Sequence, residues 1–215
     1  MNTIKIILIL LLCGITSTCT GQNNNHNMDS TSSKIQEALI QAVIRQDGEF
    51  LTQNLTPENV NKQYDVPVGM IHRTYRDRET DDPIFGKGSL LHLATFHNLP
   101  NSVKILIEKG ADVDAKDSEG RTSLQAAIVA YRYRTSEAQK ALIENGANMN
   151  FYTSRDVPLL FQYIWNEEHN LAELAIKNGA DVNMKTKDGD SILEFAERRG
   201  TPEIVSMLKA KGATK

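Results

Sequence analysis

Two cysteines are all that this chain of 215 residues contains, and both fall near its start, at Cys13 and Cys19. Everything downstream is closed to disulfides, thiol nucleophiles and thiolate metal sites. Charge of one sign is missing as well. The 24 Lys and Arg against 27 Asp and Glu leave a net charge of −3, with the signs interspersed. That leaves no basic stripe for nucleic acid or for an acidic membrane surface. Catalytic signatures are scarce. There is no Gly-x-Ser-x-Gly elbow, and His92 and His97 are five apart, so they do not share a helical face as His-x-x-x-His would. Phe85-Gly86-Lys87-Gly88-Ser89 lacks the earlier glycine of a phosphate loop and separates Lys from Ser. No metal, cofactor or catalytic residue is expected.

Long apolar runs are equally few. Ile6 to Leu12 is unbroken, preceded by Lys5 and followed by Gly14 and small polar residues. It is too short to span a bilayer comfortably and has the layout of a secretory signal over residues 1–18; an uncleaved N-terminal anchor is the rival. Ile15-Thr16-Ser17-Thr18-Cys19 resembles a relaxed bacterial lipobox, with Thr16 where Leu is usual. This resemblance implies lipidation at Cys19, and ordinary cleavage nearby is the alternative. Residues 19–32 are polar, cannot offset the entropy of ordering, and are expected to be a flexible tether.

What the chain has in quantity is repetition. GADVD at Gly110–Asp114, GANMN at Gly146–Asn150, GADVN at Gly179–Asn183 and a truncated Gly212-Ala213 recur at spacings of 36, 33 and 33. Upstream of each stands a second block: Ser89-Leu90-Leu91-His92, Thr122-Ser123-Leu124-Gln125, Val157-Pro158-Leu159-Leu160 and Ser191-Ile192-Leu193-Glu194. Two linked blocks in register resemble the ankyrin repeat, whose signature runs T-P-L-H-x-A and then G-A-D-V-N. The resemblance covers residues 88–215 and implies an all-α solenoid of helix-turn-helix units with β-hairpin fingers.

The letters have physical reasons. Thr or Ser caps the first helix, and Pro158 suits its first position. Leu91, Leu124, Leu159 and Leu193 face the core. Ala94, Ala127 and Ala196 let the helices approach, and Gln162 is aligned with them. The glycines suit the left-handed residue that ends the second helix, and Asp or Asn favours the turn that follows. The Asp112/Asp114 pair is assigned to that turn and not to catalysis or calcium. His92 takes the family's structural histidine position.

Residues 33–65 read as a degenerate first unit, because Ile35, Leu39, Ala42 and Val43 form a stripe and Pro57-Glu58-Asn59-Val60-Asn61 stands where GADVN should. Polar outer faces at both ends suit capping repeats. The division is 33–65, an inserted finger at 66–87, and repeats at 88–119, 120–154, 155–187 and 188–215, about five in all.

Function is sought where the repeat is broken. The long 66–87 connection carries Tyr75, Arg76 and Arg78. Three extra residues fall near Tyr131-Arg132-Tyr133-Arg134, between two helices. The stretch from Gln162 to Asn170 holds Trp165, the single tryptophan, with one extra residue counted between its helices. Tyr152 and Arg155 lie on the preceding finger; Phe96 and Arg121 complete the candidate set. Aromatics beside arginines are the composition of contact surfaces, although packed aromatics and solvated arginines are the plainer alternative for each. The expectation is a monomeric, non-enzymatic protein-binding module that meets no nucleic acid and touches membrane only through an N-terminal lipid or signal anchor. It would be a periplasmic or outer-membrane lipoprotein, or else secreted. An inhibitor of an envelope-targeted toxin or hydrolase, a scaffold for an envelope enzyme and a host-directed effector are the roles weighed.

Overall fold

In a computed structural model, the backbone is described for residues 26–75, 78–129 and 136–215, and side chains for 33–66, 86–128 and 136–215. The chain divides into Met1–Lys34 and a compact unit, Ile35–Lys215. Helix α1 (His26–Arg45) is followed by α2 (Gly48–Asn54) and the single turn α3 (Pro57–Val60). Strands β1 (Tyr64–Tyr75) and β2 (Arg78–Gly88) then form an antiparallel hairpin. Four helix pairs complete the chain: α4 (Leu90–Phe96) with α5 (Pro100–Glu108), α6 (Ser123–Val129) with α7 (Ser136–Glu144), α8 (Leu159–Trp165) with α9 (His169–Lys177), and α10 (Ile192–Arg199) with α11 (Pro202–Ala210). First helices pack on first helices, α4 on α6 and α8 on α10. Second helices run α2, α5, α7, α9, α11 in one packed row.

Helices of seven to nine residues are too short to persist alone, so burial between units holds them. Leu91, Leu124, Leu159, Leu106, Leu142, Ile176 and Leu208 have no exposed surface. Each second helix ends on a left-handed glycine: Gly110, Gly146, Gly179 and Gly212 have φ of 90°, 85°, 93° and 82°. Their neighbourhoods are open, so conformation and not space calls for glycine there.

The first pair obeys the same grammar. Gln46, Asn98 and Glu167 all take φ near +55° in the turn between helices. In each case the next residue donates its N–H five residues back: Asp47 to Ala42, Leu99 to Ala94, Glu168 to Tyr163. Leu39, Ala42 and Val43 are buried, and Ser102 Oγ donates to the Val43 carbonyl at 3.0 Å, tying the first pair to the second.

Three sequence expectations are corrected. Residues 26–32, expected to be tether, are the opening turns of α1; extending a helix already nucleated by its buried stripe costs little. Pro158 does not open α8. It has φ −56° and ψ 147° and stands just before the helix, in the place of Thr122 and Ser191. The fingers show why. Lys116 bridges Thr122, Tyr152 bridges Pro158 and Lys185 bridges Ser191, while Asp156 (φ 60°) occupies the left-handed position of Gly120 and Gly189. The register of this unit therefore shifts by one. Leu160 is the counterpart of Leu91, Leu124 and Leu193, and Tyr163, not Gln162, takes the place of Ala94, Ala127 and Ala196. No extra residue separates α8 from α9. The extra three before α7 fall within 130–135, outside the described residues.

The 66–87 insertion is a hairpin with Tyr75 paired to Arg78 at its far end and a register shift between Pro67 and Gly69. Its base packs on α4 and α6. Tyr64 and Val66 are buried there.

Candidate functional site

The recurring five-residue motif resolves into two jobs. Its third residue folds its own turn: Asp112, Asn148 and Asp181 accept the N–H of Asp114, Asn150 and Asn183. Its fifth residue reaches the next unit. Asn61 accepts from Asp112 N–H at 2.7 Å, Asp114 from Asn148, Asn150 from Asp181 and Asn183 from Thr214. Paired carboxylates here are a structural ladder, and Asn61 makes the same link from the first unit. Among the described residues no cluster of three His, Cys, Asp or Glu could hold a metal ion.

His92 and His97 are also structural. His92 Nδ1 accepts the Ser89 N–H at 3.2 Å, and Nε2 lies 3.0 Å from the Arg121 carbonyl, which fixes the proton on Nε2. Burial lowers its pKa, with the Arg121 hydrogen bond opposing. Burial pushes His97 down to about 4. Both rings are neutral near pH 7.

The fingers contact one another through side-chain to backbone hydrogen bonds. Gln63 Nε2 donates to the Lys116 carbonyl at 2.8 Å, and Tyr152 Oη donates to the Lys185 carbonyl at 3.0 Å from the equivalent position. Tyr152 is still 49% exposed. Arg121 is held by Asp117, 3.2 Å from Nη2. Phe96 is 6% exposed, with its ring edge-on to His97 at 5.1 Å. It belongs to the packed interior and is removed from the contact surface.

The fourth helix pair differs. Phe161, in the histidine position, stacks on Phe195 of α10 with centroids 4.2 Å apart. Trp165 stacks on the same ring at 5.8 Å and 23°. Yet Trp165 is 58% exposed, so stacking fixes the indole while leaving a face open. Trp165, Gln162, Val157 and Arg155 line one shallow cavity. Gln162 is 5% exposed, and its Oε1 has no hydrogen-bond partner. Asn166 Nδ2 and His169 Nε2 are likewise unpaired, so three of the four such atoms among the described residues lie in this helix pair. Buried polar groups are otherwise nearly always satisfied, and a local excess of exceptions calls for a reason. Below this surface the packing is specific: Tyr163, fully buried, donates to Gln139 Oε1 of α7 at 2.8 Å. Burial raises the Tyr163 pKa well above its ordinary value, and Glu168 adds to this.

The structure thus brings Arg155 and Trp165 of the sequence candidates together, with Tyr152 on the same finger as Arg155. It adds Gln162, Phe161 and Phe195, which sequence reading did not select. Phe195 carried a signal, being three residues before Arg198 on the last first-helix, but nothing local announced the stack. Tyr75 and Arg78 are placed only by their strand pairing. Arg76, Cys19 and Tyr131, Arg132, Tyr133 and Arg134 lie outside the described residues. No helix among the described residues is long and apolar enough to cross a membrane.

Comparison with known proteins gives a consistent answer. The family model for ankyrin repeats (3 copies) matches residues 2–153. The mouse B-cell lymphoma 3 protein homolog is 29% identical over 129 residues, covering 57% of this chain and 28% of the relative. Human neurogenic locus notch homolog protein 2 is 34% identical over 133 residues, covering 58% of this chain and 5% of the relative. The chain therefore spans less than a third of either relative. The crystal structure of the ankyrin repeat domain of Bcl-3 superposes with a TM-score of 0.53 at 23% identity, covering 82% of this chain and 70% of that one.

Proposed function

Because the chain belongs to the ankyrin-repeat family, we propose that it is a non-enzymatic protein–protein interaction module that captures a partner on the first helices and fingers of its last two units. The observation that carries this reading is Trp165: more than half exposed, yet stacked on Phe195 and beside Arg155. An indole held in place loses little entropy on docking, and Trp and Arg dominate the energetics of contact surfaces.

Export and attachment through a lipid on Cys19 form the second part of the proposal. The apolar run Ile6 to Leu12 and the lipobox-like Ile15 to Cys19 support it. A lipidated Cys19 would hold the repeats at a membrane surface while leaving their binding face free.

Two measurements test the two parts separately. The full chain, used as bait in envelope extracts, is expected to retain one protein that Trp165→Ala no longer retains, although that variant melts within a few degrees of the parent. Equal capture by both would remove the last two units from the function. A variant lacking residues 69–82 reports whether the hairpin also contributes. Labelled palmitate fed to a bacterial host is expected to mark the parent and not Cys19→Ser; absence of label from the parent would end the anchoring proposal.

A further inference from the structure

The residue before the left-handed glycine that closes each second helix varies. It is Lys109, then Asn145, then Asn178, then Lys211. Two Asn-Gly steps result, at Asn145-Gly146 and Asn178-Gly179. Asn is among the thermolabile residues. Before Gly, which has no side chain to hinder the approach, the next backbone nitrogen can attack the side-chain amide carbon.

The two steps are held differently. Both side chains fold back as caps: Asn145 Nδ2 donates to the Ala141 carbonyl at 2.7 Å, and Asn178 Nδ2 to the Leu174 carbonyl at 2.8 Å. The first bond is partly buried and the second is exposed. The attacking nitrogens differ more. Gly110, Gly146 and Gly212 donate their N–H to the carbonyls of Ile107, Ile143 and Lys209 at 2.9, 3.1 and 3.0 Å. The Gly179 N–H engages no backbone carbonyl among the described residues, although Asn178 and Ala180 on either side of it do.

We infer that Asn178 is a site of spontaneous deamidation in the folded protein, whereas Asn145, the same step one unit earlier, is protected. The Gly179 nitrogen gives its proton to solvent base and bonds to the side-chain carbonyl carbon of Asn178. The bond from that carbon to Nδ2 breaks, and ammonia leaves after taking up a proton. Water then opens the cyclic imide at one carbonyl to give Asp or at the other to give isoaspartate. Nothing is oxidised or reduced, and water is the sole co-reactant. Either product loses the Nδ2 bond to Leu174 and puts a carboxylate at the C-terminus of α9, where the helix dipole opposes it. Isoaspartate also adds a carbon to the main chain just before two anchored donors. These are Ala180 N–H, held by the Ala175 carbonyl, and Asp181 N–H, held by Asn150 Oδ1 of the preceding finger. Deamidation at Asn178 therefore weakens a rung of the inter-unit ladder.

The test incubates the full chain at mildly alkaline pH, with and without urea, and follows both sites by peptide mapping and mass spectrometry. Asn178 is expected to convert several-fold faster than Asn145 in the folded protein, and urea should bring the two rates together. Equal rates in the folded protein, faster conversion at Asn145, or an inert Asn178 in the time the unfolded chain converts fully would overturn the assignment. Asn178→Lys copies Lys109 and Lys211 and reads the consequence. That variant should keep its melting temperature through an incubation in which the parent's falls in step with conversion at Asn178. A parent that converts without losing stability would overturn the weakened rung.

Discussion

Helices α4 and α8 hold the same place in two units and have the same length, but they are built for different ends. In α4, Ser89 caps and His92 ties the helix to the next unit through the Arg121 carbonyl. Ala94 sits in the tight position, and Phe96 is buried. In α8, Pro158 offers no side-chain cap. Phe161 replaces the histidine and stacks forward on Phe195, Tyr163 replaces the alanine, and Trp165 stands 58% exposed where Phe96 is covered. The hairpin joins directly onto Ser89 and packs against α4; α8 follows a short finger. A position is thus not scaffold or surface by its place in the repeat alone. Phe96 is 6% exposed and Trp165 58% exposed at the same place in two units.

The sharpest way to break this comparison is to restore the repeat's usual residue. Tyr163→Ala should be destabilising by about 3–5 kcal/mol, as for other buried aromatic truncations, because Gln139 has been fitted to the phenol. Urea denaturation reads it; a neutral outcome would mean the register assigned to α8 is wrong. His97 gives a pH-dependent counterpart in the second unit. Folded, it stays neutral down to about 4 against an ordinary 6.5. Between those values the unfolded chain binds the proton more readily, so stability should fall as pH drops across that window, by up to about 3 kcal/mol. His97→Gln should flatten the slope of urea midpoint against pH between 6.5 and 4.

Smaller effects sharpen the picture. Tyr163→Phe should cost about 1–3 kcal/mol by leaving Gln139 short of its donor, and Gln139→Leu added to it should recover part of that loss, a coupling readable in a double-mutant cycle. Asn150→Ala removes one rung of the inter-unit ladder and should cost about 0.5–1.5 kcal/mol. Trp165→Ala should change thermal stability least, since only one indole face is packed.

Much of the fold was legible in sequence because its signals are local. Left-handed glycines, Thr and Ser caps and the leucine of each first helix depend on a few neighbouring residues. The register of the fourth unit was not, because Leu159-Leu160 offers two buried leucines in succession and Pro158 gives no cap to count from. The marker that settles it, Asp156 at φ 60°, is a conformation and not a letter. The hairpin was visible only as excess length: Pro67, Gly69 and Pro83 interrupt the alternation that announces strands. Of the site, Arg155 and Trp165 were readable as unusual residues in an irregular place. The Phe195 stack, the Tyr163–Gln139 pair and the burial of Phe96 are long-range outcomes of packing that no local pattern carries.

The surface around Trp165 is the proposed docking face. The most direct measurement places a photo-crosslinking amino acid at position 165 and, in a second variant, at the exposed Glu144 on α7. One defined crosslinked protein is expected from position 165 and none from position 144. Equal labelling from both positions, or none from 165, would contradict it.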